Sequence, residues 1–173
     1  KFASVNGVSL RYDWRPGDGV PLVLLHEMGG TLESWELVLD NLPDRAALRL
    51  DLRGFGLSEK PVGALAMDDH VADVTALIDH VGLETVHLAG CAVGGGIAIA
   101  TAASLGDRAA ALTAMAPATG IPPERRAGVL GLADMLARDG VRGFFEADTI
   151  PDAWPEALFD RSGRGFELFL RSQ

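Results

Sequence analysis

Glu84-Thr-Val-His-Leu-Ala-Gly-Cys-Ala-Val-Gly-Gly-Gly-Ile97 reads as a strand that runs into a glycine-flanked turn and straight out into a helix. Residues 84–89 supply the strand and residues 90–95 the turn. The Ala/Ile-rich stretch from there to about residue 105 supplies the helix. That helix is apolar nearly all round, as expected of one packed tightly on a sheet.

The stretches on either side fit the same architecture. Upstream, Pro21-Leu-Val-Leu-Leu25 is a short, nearly unbroken apolar run, the pattern of a strand buried on both faces. Residues 46–52 and 109–116 read as further strands, the latter buried. Val71, Val74, Leu77, Ile78 and Val81 recur at helical spacing, with Asp68 and Asp69 at the start and Gly82 as a stop. A short helix follows the first buried strand, with Ser34 as N-cap, Trp35, Val38 and Leu39 inward, and its end before Pro43. The order from residue 21 is β-α-β-α-β-α-β. Right-handed crossovers make that a mostly parallel sheet with helices on both faces. Ahead of it, Asn6-Gly7 between two alternating runs predicts a hairpin of residues 2–5 and 9–14, and Pro16-Gly-Asp-Gly19 a turn.

From residue 122 the texture changes. Residues 124–138 read as a helix, Gly140 and Gly143 interrupt it, and residues 166–170 start another. No buried-strand run occurs there. The expected division is a core at residues 1–121 and a helical region at residues 122–173 lying over the sheet.

The composition narrows the function classes. The chain has 173 residues, 48% of them hydrophobic, and a net charge of −9. Its pI is near 4.8. Such a chain lacks the basic face of a nucleic-acid binder and the charge to sit on an anionic membrane. No apolar run reaches the ~18–20 residues that span a bilayer. The single cysteine, Cys91, forms no internal disulfide, which fits a reducing, cytoplasmic setting. No signal peptide is visible, although a chain opening on Lys1 is expected to lack an N-terminal piece. His26, His70, His80 and His87 are scattered without ligand spacing, so no metal is expected. His70 and His80 are expected on the solvated side of their helix, and His87 as a satisfied core histidine.

The turn at residues 90–94 has the form Gly-x-nucleophile-x-Gly. The middle residue of such a turn sits in strained backbone, so the residues two before and two after it must be small. Gly90 and Gly94 meet that condition around Ala92. Centring the turn on Cys91 would put Ala89 and β-branched Val93 at the flanks, so Cys91 reads as a small thiol beside the turn. The nucleophile position is Ala92, and a methyl group attacks nothing. Alanine there is either an engineered replacement of serine or natural in a relative that has lost or changed the chemistry.

His26-Glu-Met-Gly-Gly30 follows the first buried strand, where a loop N–H can join the N–H after the nucleophile to hold an oxyanion. The candidate donors are Met28 and Val93. Removing one such donor from an active enzyme costs ~2.7–4 kcal/mol of barrier. Asp51-Leu-Arg-Gly-Phe-Gly-Leu-Ser58 reads as a tight structural turn, held by Asp51 or Arg53 to nearby backbone. It lacks the Gly-Lys-Ser/Thr of a phosphate-binding loop.

These three motifs, in this order and spacing, resemble the α/β-hydrolase superfamily. The chain is most similar to the branch with 3-oxoadipate enol-lactone hydrolases, related small esterases and carbon–carbon bond hydrolases. The resemblance covers residues 2–121, and the remainder resembles the helical cap of that branch. It implies a serine at position 92, then an acid and a histidine later in the chain, and two further strands after the cap. No histidine follows His87, so those strands and residues are expected to be missing and the chain to stop inside the cap. Without those strands, residues 109–116 become a bare sheet edge. The resemblance implies an ester, lactone or similar apolar carbonyl substrate, no cofactor, and a possible homo-oligomer. His26, Glu27, Phe144, Phe145 and Trp154 are the candidate pocket residues. Two rivals stand on the same fold: a ligand-binding or regulatory protein that keeps the pocket without the chemistry, and a cofactor-free lyase or oxygenase.

Overall fold

The computed structural model describes residues 1–146, with side chains through residue 140. The chain divides into two compact units, Lys1–Thr119 and Gly120–Gln173.

In the first unit six strands form one sheet: β1 (Phe2–Val5), β2 (Val8–Arg15), β3 (Asp18–Leu25), β4 (Arg45–Leu50), β5 (Val86–Cys91) and β6 (Ala109–Met115). The order across the sheet is β1-β2-β4-β3-β5-β6. The pairs β4–β3, β3–β5 and β5–β6 are parallel, while the hairpin β1–β2 and its junction to β4 are antiparallel. Asn6 and Gly7 both take positive φ (47° and 75°), the two-residue turn that their sequence predicts. Helices α1 (Glu36–Asp40), α2 (Met67–Val81) and α3 (Val93–Leu105) fill the crossovers.

The unbroken apolar run of β3 is buried on both faces because helices lie on both. Val23 and Leu25 join Leu48, Leu50, Val86 and Leu88 against Leu77, Ile78 and Ile97 of α2 and α3. Leu22 and Leu24 point the other way, with Ala47 and Ala89, onto Trp35 and Leu39. Strand alternation divides one hydrophobic run between two layers.

Several elements differ from expectation. Leu32–Trp35 forms a 3₁₀ turn ahead of α1 and its cap is Thr31, whose N–H donates to Ser34 Oγ at 3.3 Å. Ser34 therefore closes the cap from inside the turn. Tightening the turn rotates Val38 outward, where it is exposed, while Trp35 and Leu39 stay buried. β3 begins at Asp18, inside the expected turn cluster. β6 is the last strand of the described sheet and is exposed along most of its length, Leu112 at 42%. It is an edge, not a buried strand. His70 is buried, because it shares the inward face of α2 with Asp73, Val74 and Leu77. His80 is exposed, and half-buried His87 contacts Arg45 through Nδ1 at 3.0 Å.

In the second unit α4 (Pro123–Glu146) is interrupted at Gly140, whose φ of 70° and ψ of 173° lie outside the helix. Phe144 and Phe145 belong to α4, but their side chains lie outside the described residues, as does the whole of Trp154. Among the described residues no helix is long and apolar enough to cross a membrane.

Candidate active site

β5 ends at Cys91 and α3 begins at Val93, so a single residue makes the turn. Ala92 takes φ 50° and ψ −116°, a conformation that L side chains rarely adopt. Its N–H donates to Met115 O (3.0 Å), and its carbonyl accepts from Gly96 N (3.1 Å) and Ala118 N (2.8 Å). Hydrogen bonds on both sides thus hold the strained residue in place. Cys91 keeps an ordinary strand backbone.

Glycines surround it because backbones converge there. A Cβ on Gly90 would overlap the Gly94 carbonyl and lie 2.7 Å from Gly95 N. One on Gly94 would overlap the carbonyl oxygens of Leu25 and His26, and one on Gly96 that of Ala118. The helix start is thereby pressed onto the end of β3. Spacing reveals Gly90 and Gly94. The demand on Gly96 comes from the segment after β6, which no local pattern shows.

Strain at a non-glycine residue of this kind costs about 1–3 kcal/mol, and glycine's extra chain entropy returns roughly 0.5–1 of that. Ala92→Gly is therefore expected to stabilise the fold by about 1 kcal/mol, read as a higher urea midpoint at unchanged slope. A lower midpoint would show that the turn is not strained.

A scan against family models matches residues 20–153 to the alpha/beta hydrolase fold. The chain belongs to the α/β-hydrolase fold family. Among the curated relatives of this family member, two are dihydrolipoyllysine-residue acetyltransferase components of acetoin cleaving systems. The protein from Cupriavidus necator is 27% identical over 94% of the chain, and that from Pseudomonas putida 37% identical over 67%. The chain spans only 41% and 32% of their respective lengths. Among solved structures, the enol-lactonase from Burkholderia xenovorans LB400 superposes with a TM-score of 0.83 at 26% identity, over 99% of this chain and 66% of its own.

The loop after β3 lies beside the α/β-hydrolase turn. Glu27 O accepts from Gly30 N at 3.0 Å, and Gly29 supplies the positive φ (78°) that closes this tight turn. The Met28 side chain is exposed. No described residue accepts a hydrogen bond from its N–H. Val93 is the first residue of α3, and its N–H is among those a helix leaves without an internal partner. The Glu27 carboxylate folds back over Gly30 and accepts from Ser34 Oγ at 3.1 Å.

His26 departs from the expected pocket role. It has no exposed surface, and both ring nitrogens are engaged, Nε2 by Leu52 N–H (2.9 Å) and Nδ1 by Glu27 O (2.7 Å). Its ring meets Phe55 edge-on at 5.6 Å. A histidine closing a strand that is buried on both faces is drawn into the interior with it. Two surface grooves run along α2, one past Val71, Thr75 and Ser104, the other past Gly82, Glu84 and Arg108. Neither touches residues 26–28 or 90–94. Among the described residues no group of three His, Cys, Asp or Glu side chains is placed to hold a metal.

Asp51 is the hub of the next loop. Its carboxylate accepts from Leu32 N and Leu57 N, each at 2.8 Å, and its carbonyl from Ser58 Oγ at 2.6 Å. Arg53 takes side-chain partners instead of backbone ones: its guanidinium forks onto Asp73, which also accepts from Asn6 Nδ2 at 2.8 Å. No local sequence motif marks this cluster. Its signal is an aspartate within the apolar stripe of α2, at position 73.

Burial lowers the pKa of both His26 and His70 below the ordinary 6.5. Near and below pH 6.5 the unfolded chain then binds more protons than the folded one, so stability rises with pH across that window. The contribution is complete above the unfolded value and is lost as pH falls through 6.5 toward the folded values. Urea midpoints measured from pH 8 to 5.5 should fall on acidification, less steeply in His26→Gln. An unchanged slope in that variant would contradict the assignment.

Proposed function

We propose that this chain is the part of a hydrolase that carries the nucleophile position and the oxyanion donors, for an ester, lactone or related apolar carbonyl substrate. The observation that carries the reading is the backbone of Ala92, a strained single-residue turn between β5 and α3 at the centre of converging glycines. A side chain there is presented at the head of a helix, beside the Val93 N–H and near the loop of Met28. Nucleophile and two amide donors are what acyl transfer needs on one side of a carbonyl. The likeness to an enol-lactonase favours a lactone or ester. The triad acid and histidine are assigned to residues outside the 173, in keeping with a chain that spans 66% of that enol-lactonase.

The alanine itself favours a second reading, a ligand-binding protein that keeps the pocket and lacks the attack. The test is the full-length protein, with and without Ala92→Ser, against a panel of p-nitrophenyl esters and aromatic lactones. Turnover on introducing serine supports the hydrolase. Ester binding without turnover in either form supports the second reading.

A further inference from the structure

We propose that His26 is a positioning residue that aims the Met28 N–H into the site by holding the Glu27–Met28 peptide from behind. The inference rests on reading Met28 as an oxyanion donor.

The tautomer of His26 follows from its partners. Leu52 N–H is a fixed donor 2.9 Å from Nε2, so Nε2 is the bare nitrogen and the proton sits on Nδ1. Nδ1–H then donates to Glu27 O at 2.7 Å. Gly30 N–H donates to the same oxygen, which is held by two donors.

The chain contains no cis peptide among its described residues, so the Glu27–Met28 unit is trans and planar. In a trans peptide the carbonyl and the N–H point in opposite directions. Fixing Glu27 O toward the His26 ring therefore fixes the Met28 N–H away from it. Asp51 secures the far end of the loop through Leu32 N–H. The loop is tied down at residues 26–27 and at residue 32, and the donor lies between those ties.

The two bonds of the ring can be separated by substitution. His26→Asn puts an amide N–H near the place of Nδ1, keeping the donor to Glu27 O and losing the acceptor for Leu52. His26→Gln puts a carbonyl oxygen near the place of Nε2, keeping the acceptor and losing the donor. Both are made in the full-length protein carrying Ala92→Ser, and kcat, KM and urea midpoint are measured. The expected result is a loss in kcat of roughly 10²–10³-fold for His26→Gln, the effect of one misplaced oxyanion donor, with KM changed less than about threefold. His26→Asn should hold kcat within about tenfold despite a comparable loss of midpoint. Equal kcat losses that track stability, or an unaffected kcat in His26→Gln, would overturn the proposal.

A second readout needs no turnover. In the ¹⁵N–¹H spectrum of the protein with Ala92 unchanged, both variants lose the ring next to the Met28 amide, and that amide should move clearly further in His26→Gln, which also loses the donor to Glu27 O, than in His26→Asn. If the Ala92→Ser parent is inactive, the hydrolase reading fails and the oxyanion role of Met28 with it. The difference in amide shift between the two variants still decides whether His26 sets the peptide, and equal movement in both would sink that.

Discussion

Introducing a hydroxyl by Ala92→Ser in the full-length protein is expected to raise p-nitrophenyl ester hydrolysis by at least about 10⁴-fold. Removing the serine of a working triad costs on the order of 10⁶ in kcat, and the residual rate comes from binding and the oxyanion donors. Alanine and serine differ by one oxygen, and the backbone that has to present it is already strained into shape. The Ala92 carbonyl is held by Gly96 N and Ala118 N and its N–H by Met115 O, so the substitution asks for no rearrangement of the chain. Steady-state assays at saturating ester measure the gain. A rate that stays at the level of the alanine protein would mean that no general base reaches position 92.

Removing one partner of the buried ion pair carries the largest expected effect on stability. Asp73 is 1% exposed and Arg53 7%. Asp73→Ala leaves the Arg53 guanidinium buried without its forked partner, while the exposed Asn6 amide, which also loses its acceptor, turns to water. Breaking a pair of this kind typically costs about 3–5 kcal/mol, against a total stability of about 5–15 for a domain. Asp69, 3.6 Å from Arg53 Nη1, is partly exposed and offsets part of the loss, so the lower end of that range is expected. Urea denaturation checks it. The pair spans the hairpin turn, the 51–58 loop and α2, three segments far apart in the chain. A double variant with Arg53→Met should recover much of the stability, because the uncompensated charge goes with it. A loss below about 1 kcal/mol for Asp73→Ala would mean that the guanidinium finds water.

The sheet was legible because its central strands are apolar runs that cannot be exposed on either face, as Leu22 to Leu25 illustrate. The turn at position 92 was legible for a different reason: its strain leaves glycines at fixed offsets. What escaped was set by contacts between distant segments. His70 and Asp73 face inward because Arg53 and the hairpin turn meet α2 there, and periodicity counts an aspartate or histidine as polar wherever it sits. His26 gave no sign of whether its ring would line a pocket or brace the loop, since that depends on Leu52, 26 residues away. The exposure of β6 reflects its place at the end of the strand order, while its composition alone looks like a core strand.

The identity of position 92 as the nucleophile position is open to one decisive measurement. The full-length protein carrying Ala92→Ser is treated with a fluorophosphonate ester, digested, and its peptides weighed, with the alanine protein as control. One phosphonyl adduct is predicted, on the peptide and residue at position 92, absent from the control. An adduct on Cys91, or no adduct in either protein, would contradict the assignment.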